Sequence, residues 1–197
     1  MNLVFVGCEY TGKSTLAVKV MHWAEETLGA TSHFHDHFSV PSSELAPQAQ
    51  ESMLQADPQI VEMFQRYSIH YHLSETFYKN PDHNLMGFVI EEAVYAPLYY
   101  GYGGKDSGAP FRSPEGQRTE MARNTEQIML ERAPDTVLVL FKAKPEVITQ
   151  RMQENPHQHQ IVRQEDIGHI LERFVEEFSA SLIQKRIVLD TSSSTVE

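Results

Sequence analysis

Apolar residues in this chain fall into short blocks separated by longer amphipathic stretches. Leu3-Val4-Phe5-Val6 is a continuous β-rich run ended by Gly7, the pattern of a parallel strand buried on both faces. Over residues 14–28, Leu16, Val20, Trp23, Ala24 and Leu28 recur at helical spacing, and Gly29 supplies a stop. Residues 32–40 alternate and end at Pro41, which predicts a second strand or its exit loop. Helices are predicted over 47–56 and 58–79, the second opened by Asp57-Pro58 as cap and first turn. Beyond these, the pattern predicts strands at 86–90, 136–141 and 187–189 and helices at 117–132, 144–152 and 166–183. The last helix carries a stripe of Ile167, Ile170, Leu171, Phe174, Val175 and Phe178. Strands alternating with helices imply an α/β fold: three layers, with a mostly parallel five-stranded sheet covered by helices through right-handed crossovers.

Composition narrows the function classes. A chain of 197 residues, 41% hydrophobic and 22% charged, suits one domain with a full core, and no linker or charge block divides it. A formal charge of −11 argues against binding a nucleic-acid polymer, because that affinity comes from clustered lysine and arginine displacing counterions. Cys8 is the single cysteine and has no partner for an internal disulfide; with no leader-like segment before the first strand, the expected location is cytoplasmic. No apolar run approaches the roughly 18 residues of a membrane helix.

The chemistry enters at Gly7-Cys8-Glu9-Tyr10-Thr11-Gly12-Lys13-Ser14, which satisfies G-x-x-x-x-G-K-[ST] with a strand before it and a helix after it. Glycines let successive N–H groups turn inward around an anion, and the helix N-terminus adds partial positive charge. This P-loop, extended through Thr15, is the candidate site for ATP; Lys13 reaches the β- and γ-phosphates and Ser14 places its hydroxyl on Mg²⁺. Two readings of Cys8 stand: a thiol activated by the helix N-terminus, or a small residue the loop tolerates.

Downstream, Phe88-Val89-Ile90-Glu91-Glu92-Ala93-Val94-Tyr95-Ala96-Pro97-Leu98-Tyr99-Tyr100 sets acidic residues beside the P-loop. Here the chain resembles the deoxynucleoside kinases and the related thymidylate kinases. Glu91, Val94, Tyr95 and Tyr99 match the former family's Glu-Arg-Ser-Val-Tyr-Ser-Asp-Arg-Tyr, and Phe64-Gln65-Arg66-Tyr67 is similar to its Phe-Gln-Thr-Tyr. Residues 137–151 and Val188-Leu189-Asp190-Thr191 resemble its strand, turn and lid helix and its last strand. The resemblance implies that Gln65 reads a nucleobase, that Tyr95 lines the acceptor site, and that an acid at the end of the second strand, Asp36, is the base for the acceptor hydroxyl. Glu91 is the competing candidate for base or Mg²⁺-water ligand. Two departures stand out: Glu92 and Leu98 replace the family's arginines, which grip a 5′ oxygen or phosphate, and an acidic Glu92 is expected to repel a phosphorylated acceptor. Dimerisation is common in these families and leaves a homodimer open, although no self-complementary patch is legible in the sequence.

Arg151 and Arg163 flank a polar segment that reads as part of a lid over about 151–164, either closing over the phosphates or bridging helix-surface charges. A glycine-rich insertion at about 101–116 is either a cover for the acceptor or a surface loop. His33, His35 and His37 alternate and would share one strand face, a weak metal-binding signal. His70, His72, His157, His159 and His169 show no convergent ligand spacing. The aromatic series Phe64, Tyr67, Tyr71, Phe77 and Tyr78 fits core packing better than a stacking surface. Taken together, these features lead to a Mg-ATP-dependent phosphotransferase acting on a small hydroxyl- or phosphate-bearing acceptor, a nucleoside or nucleotide. The competing classes are an ATP- or GTP-binding regulatory or hydrolytic protein and a kinase relative without transfer activity.

Overall fold

The computed structural model describes residues 2–31, 33–36, 38–79, 82–103 and 115–194, the side chains of 115–117 excepted. Five strands, β1 (Leu3–Val6), β2 (His33–His35), β3 (His83–Met86), β4 (Val137–Lys142) and β5 (Lys185–Asp190), form one sheet in the order β2-β3-β1-β4-β5. Every pairing is parallel. The helices are α1 (Lys13–Leu28), α2 (Pro47–Leu54), α3 (Pro58–Tyr71), α4 (Phe88–Tyr95), α5 (Glu115–Arg132), α6 (Pro145–Glu154) and α7 (Ile167–Ala180). Among the described residues no helix is long and apolar enough to cross a membrane.

Strand periodicity builds the three layers. On β1, Leu3 and Phe5 point with Val139 and Phe141 of β4 toward Ala17 of α1. Val4 and Val6, with Leu138 and Leu140, point the other way into a larger core shared by α4 and α7. Each large side chain fully buried there contributes about 1.5–3 kcal/mol relative to exposure. All eight residues of α4 are buried, as expected of a helix that is apolar nearly all round. The helix then widens into a π turn at Ala96–Tyr100. Pro97 lacks an N–H, and its ring crowds the carbonyl four residues back, so ordinary α-helical bonding fails at that point.

The structure moves several predicted elements. The strand expected at 86–90 lies at His83–Met86, and Phe88 to Ile90 begin α4 instead. Gly87, at φ +78°, breaks the run, and a Cβ there would overlap the Glu91 carboxylate. The alternating stretch 32–40 yields a strand only at His33–His35, and the helix expected over 58–79 stops at Tyr71, followed by a 3₁₀ turn at Phe77–Lys79. Most of the insertion expected at 101–116 lies outside the described residues.

Candidate active site

β1 delivers Gly7 to the C-terminal edge of the sheet and α1 opens at Lys13, so the loop between them wraps the helix N-terminus. Gly7 has φ +147°, and a Cβ there would lie 2.5 Å from the Phe141 carbonyl oxygen, so β4 leaves room for hydrogen alone. Tyr10 adopts φ 63°, a left-handed conformation costing about 1–3 kcal/mol that persists where surroundings over-determine it. They do: its carbonyl accepts Arg151 Nη1 at 2.9 Å, and its hydroxyl donates to Gln160 Oε1 at 3.0 Å and accepts the His157 N–H at 2.9 Å. Its ring stacks on the His157 imidazole at 4.1 Å. Thr11 Oγ1 donates to the Cys8 carbonyl at 2.7 Å. Cys8 is wholly buried, and that burial pushes its thiol up to about 12 against the pull of Lys13. Of the two readings of Cys8, the structure favours the inert, small packing residue.

Lys13 Nζ donates to the Gly7 carbonyl at 2.6 Å and to Glu91 Oε1, an ion pair between side chains that are each 11% exposed. Glu91 stands on the first turn of α4. Burial pushes its carboxyl above the usual carboxylate range; Lys13 pulls it back, while Asp36 and Glu9 push it further up. Asp36, just past β2, therefore lies within electrostatic reach of Glu91. Lys13 and both candidate bases thus belong to one cluster, with Ser14 and Thr15 exposed on the adjoining first turn of α1.

The remaining predicted residues are placed differently from one another. Tyr95 is buried under the loop, where its hydroxyl accepts the Glu9 N–H at 3.1 Å. Gln65 is wholly buried, its Nε2 donating to the Phe38 carbonyl at 3.0 Å. Arg151 ties the Tyr10 carbonyl to Thr191, reaching the Thr191 carbonyl at 2.7 Å. Arg163 is exposed and lies over the Tyr99 ring at 5.7 Å. Beside it opens a cleft of about 490 Å³, walled by Val40, Met53, Val61 and Tyr100 and rimmed by Gln160 and Arg163. The segment following α6 docks onto the phosphate loop, with Glu9 Oε2 accepting the Ile161 and Val162 N–H groups at 3.2 and 3.0 Å.

Glu92, expected from the sequence to repel a phosphorylated acceptor, is engaged in a buried cluster. One residue past Glu91 it turns away from Lys13, and its buried Oε1 accepts Tyr102 OH at 3.0 Å and Arg118 Nη1 at 3.4 Å. The fully buried Arg118 also pairs with Glu62 and lies over the Tyr102 ring at 4.9 Å. Leu98 packs at the margin of the core. The fold also brings together histidines that sequence spacing left apart: His83 Nδ1 is 3.4 Å from His35 Nε2, and the His72 ring meets that of His35 at 5.0 Å. His37 lies outside the described residues, among which no three His, Cys, Asp or Glu side chains form a metal-holding group.

No family model and no curated protein matches the chain. Solved structures do. The deoxyadenosine kinase of M. mycoides with products dCMP and dCDP aligns over 100% of this chain and 93% of its own, with TM-score 0.57 and 12% identity. The fold is that of the P-loop nucleoside and nucleotide kinases. The Bacillus subtilis YorR protein, in complex with phosphorylated GDP, aligns over 100% of this chain and 89% of its own (TM-score 0.56, 15% identity). Thymidylate kinase from Candida albicans aligns over 98% and 84% (TM-score 0.54, 12% identity). On this kinase fold, one role escaped the sequence reading: the side chains of Glu9 and Tyr10, named there only as part of the phosphate loop, hold the segment after α6, while Thr191, named there in the last strand and its exit, donates its Oγ1 to the Thr11 carbonyl at 2.8 Å. The variable positions of the P-loop motif specify no side-chain chemistry, so only the folded chain discloses these partners.

Proposed function

We propose that this protein is an ATP-dependent phosphotransferase that acts on the hydroxyl or phosphate of a small acceptor, with a nucleoside or nucleotide as the leading class. The observation that carries the reading is Lys13, held between the Gly7 carbonyl and the buried Glu91 carboxylate at the head of a phosphate loop. A cleft of about 490 Å³ beside Arg163, lined by Val40, Tyr100 and the segment after α6, falls in the range that takes small molecules. Lys13 swings onto the β- and γ-phosphates of ATP and leaves a carboxylate beside the transferring group. The acceptor oxygen attacks the γ-phosphorus, the bond to ADP breaks, and the hydroxyl proton passes to Glu91 or Asp36. A carboxyl held above its usual range suits that exchange.

The donor set fits Mg²⁺, a cation that keeps several waters and takes ligands from phosphates: Ser14 offers its hydroxyl, and Asp36 and Glu91 are carboxylates for its water shell. Mg²⁺ bound with the nucleotide would neutralise phosphate charge. The segment between α6 and α7 serves as the lid, Glu9 and Tyr10 holding it, with the exposed Arg163 over Tyr99 as its cation and Arg151 bracing the loop through the Tyr10 carbonyl. For Gln65 to read a base, the backbone at 38–39 has to move off its amide. The test is ATP consumption with Mg²⁺ across nucleosides, deoxynucleosides, their monophosphates and simple hydroxylated metabolites, beside Lys13→Ala. Turnover that needs one acceptor and disappears in Lys13→Ala supports the proposal. Acceptor-independent turnover would mean a hydrolase, and tight ATP binding without turnover a regulatory or inactive relative.

A further inference from the structure

The cleft is walled from two sides, by α2, α3 and the π turn on one and by the segment after α6 on the other. Val40, Met53 and Val61 give it an apolar bed. No carboxylate lines it, although the chain carries a formal charge of −11. Such a lining would leave a cationic ligand unpaired and suits a neutral or anionic molecule with an apolar body. Most polar groups in the wall are already engaged. Tyr99 donates its hydroxyl to Asp166 Oδ2 at 2.7 Å and accepts the backbone N–H of Arg163 at 3.4 Å. Tyr100 hydrogen-bonds the Val40 backbone. Gln160 accepts the Tyr10 hydroxyl through Oε1 and donates Nε2 to the Val162 carbonyl at 3.0 Å. Gln158 and Arg163 stand exposed at the rim.

His159 is the exception in this wall. It lines the cleft half-buried, and its Nε2 is closed off from solvent with no hydrogen-bond partner among the described residues. Burying a ring nitrogen unpaired is unfavourable, and where a native fold keeps such a group, a bound molecule or an ordered water supplies the missing bond. Gln65, the base reader that the resemblance implies, does not line the cleft and has its Nε2 on the Phe38 carbonyl. We infer that His159 selects the molecule that occupies the cleft, its Nε2 exchanging a hydrogen bond with the edge of a neutral or anionic heteroaromatic ring laid on the apolar bed. That this molecule is the phosphoryl acceptor rests on the function proposed above. The imidazole already forms part of the wall, so a small rotation of the ring brings Nε2 to a seated ligand. Recognition thereby moves from α3 to the segment that closes the site. His157 and Gln160 on either side bond Tyr10, and Ile161 and Val162 bond Glu9, so choosing the ligand and docking on the phosphate loop fall to one stretch of chain. A site built to bond a polar group discriminates strongly against analogues that lack it.

Two measurements on the intact chain test this. In the first, the protein loaded with Mg²⁺ and a non-hydrolysable ATP analogue is titrated calorimetrically with deoxynucleosides and their monophosphates. A ligand of the wild type should bind His159→Leu roughly 5- to 150-fold more weakly. His159→Gln, which keeps a hydrogen-bonding group at similar reach, should recover part of that loss, and the ATP analogue should bind all three alike. Equal ligand affinity in wild type and His159→Leu overturns the inference, as does a panel of which no member binds. An equal loss toward the ATP analogue also overturns it and makes His159 a support of the phosphate loop. The second measurement is thermal melting without ligand. Exchanging an unpaired buried nitrogen for an apolar group is neutral or stabilising, so His159→Leu should melt at or above the wild type. A lower melting temperature would mean that the imidazole has its partner within the protein, and overturns the inference. Binding that depends on His159 but leads to no phosphoryl transfer upholds it and refutes the phosphotransferase reading. Transfer whose acceptor KM is unmoved by His159→Leu does the reverse.

Discussion

Glu91→Gln separates nucleotide binding from transfer, and its effect on affinity runs against intuition. Without nucleotide, the Glu91 carboxylate holds Lys13 Nζ in a pair that is 11% exposed on each side. At an ordinary contact of about 3 Å and an effective dielectric of about 20, that attraction is about 5 kcal/mol before desolvation is counted. Phosphate recovers most of it by taking the lysine, but it then faces the carboxylate left behind. At about 5 Å that repulsion is about 3 kcal/mol per unit charge, partly relieved if Glu91 takes up a proton. Removing the carboxylate should therefore tighten binding of Mg-ATP by about 1–3 kcal/mol, or roughly 5- to 150-fold in Kd. If Glu91 is the base, turnover falls by roughly 10²–10⁴ in the same variant. The affinity gain also fades on acidification, because the wild-type carboxyl, held above its usual range, takes up a proton as pH falls and stops competing. Calorimetric titration with a non-hydrolysable ATP analogue at alkaline and mildly acidic pH reads the affinities, and steady-state kinetics with ATP reads the turnover. Equal or weaker binding by Glu91→Gln at alkaline pH would refute the reasoning.

The buried cluster around Arg118 yields two further expectations. Arg118→Met removes the buried guanidinium shared by Glu62 and Glu92, leaving them only Arg66 and the Tyr102 hydroxyl, which should cost about 3–5 kcal/mol in urea unfolding; a loss below about 1 kcal/mol would contradict the burial argument. Burial also pushes the Glu92 carboxyl above its usual range, with Arg118 opposing. The folded protein thus holds that proton more tightly than the unfolded chain, and the stability it supplies is lost as pH rises through the folded value. Glu92→Gln has no such proton to lose, so its stability relative to wild type should rise as pH climbs above the ordinary carboxylate range, and a fall would contradict the assignment.

Much of this molecule is readable from its residues. The P-loop, the central β1 and the long helices α1, α5 and α7 lie close to their expected positions, and the apolar stripe of α7 makes it the clearest of the helices. β3 was displaced because Met86 to Ile90 is apolar and buried in either conformation, and periodicity cannot separate a short buried strand from the start of a buried helix. The true strand opens with His83 and Asn84, whose polarity conceals their burial. In the site, Lys13 and Glu91 were named from the motif and the resemblance. Tyr95 and Arg151 were named as well, but the structure shows them bracing the loop from behind. Whether a polar side chain faces a ligand or supports the backbone depends on rotation about one helix axis, as Glu91 and Glu92 demonstrate by diverging at adjacent positions. Arg118 was not foreseen, since a lone arginine in a helix gives no hint that it will be buried against two acids from other helices.

Thr191 carries an implication for how the site comes into being. Its hydroxyl reaches the Thr11 carbonyl across 180 residues of chain, its N–H meets the Lys142 carbonyl at 2.8 Å, and Arg151 clasps it from α6. During synthesis the phosphate loop leaves the ribosome 180 residues ahead of the brace that shapes it. Contacts this distant in sequence form late, because the loop-closure entropy must be met before they return anything. A nascent chain would therefore hold the motif without the means to keep its shape, and competence to grip a triphosphate would mark the end of folding rather than its beginning.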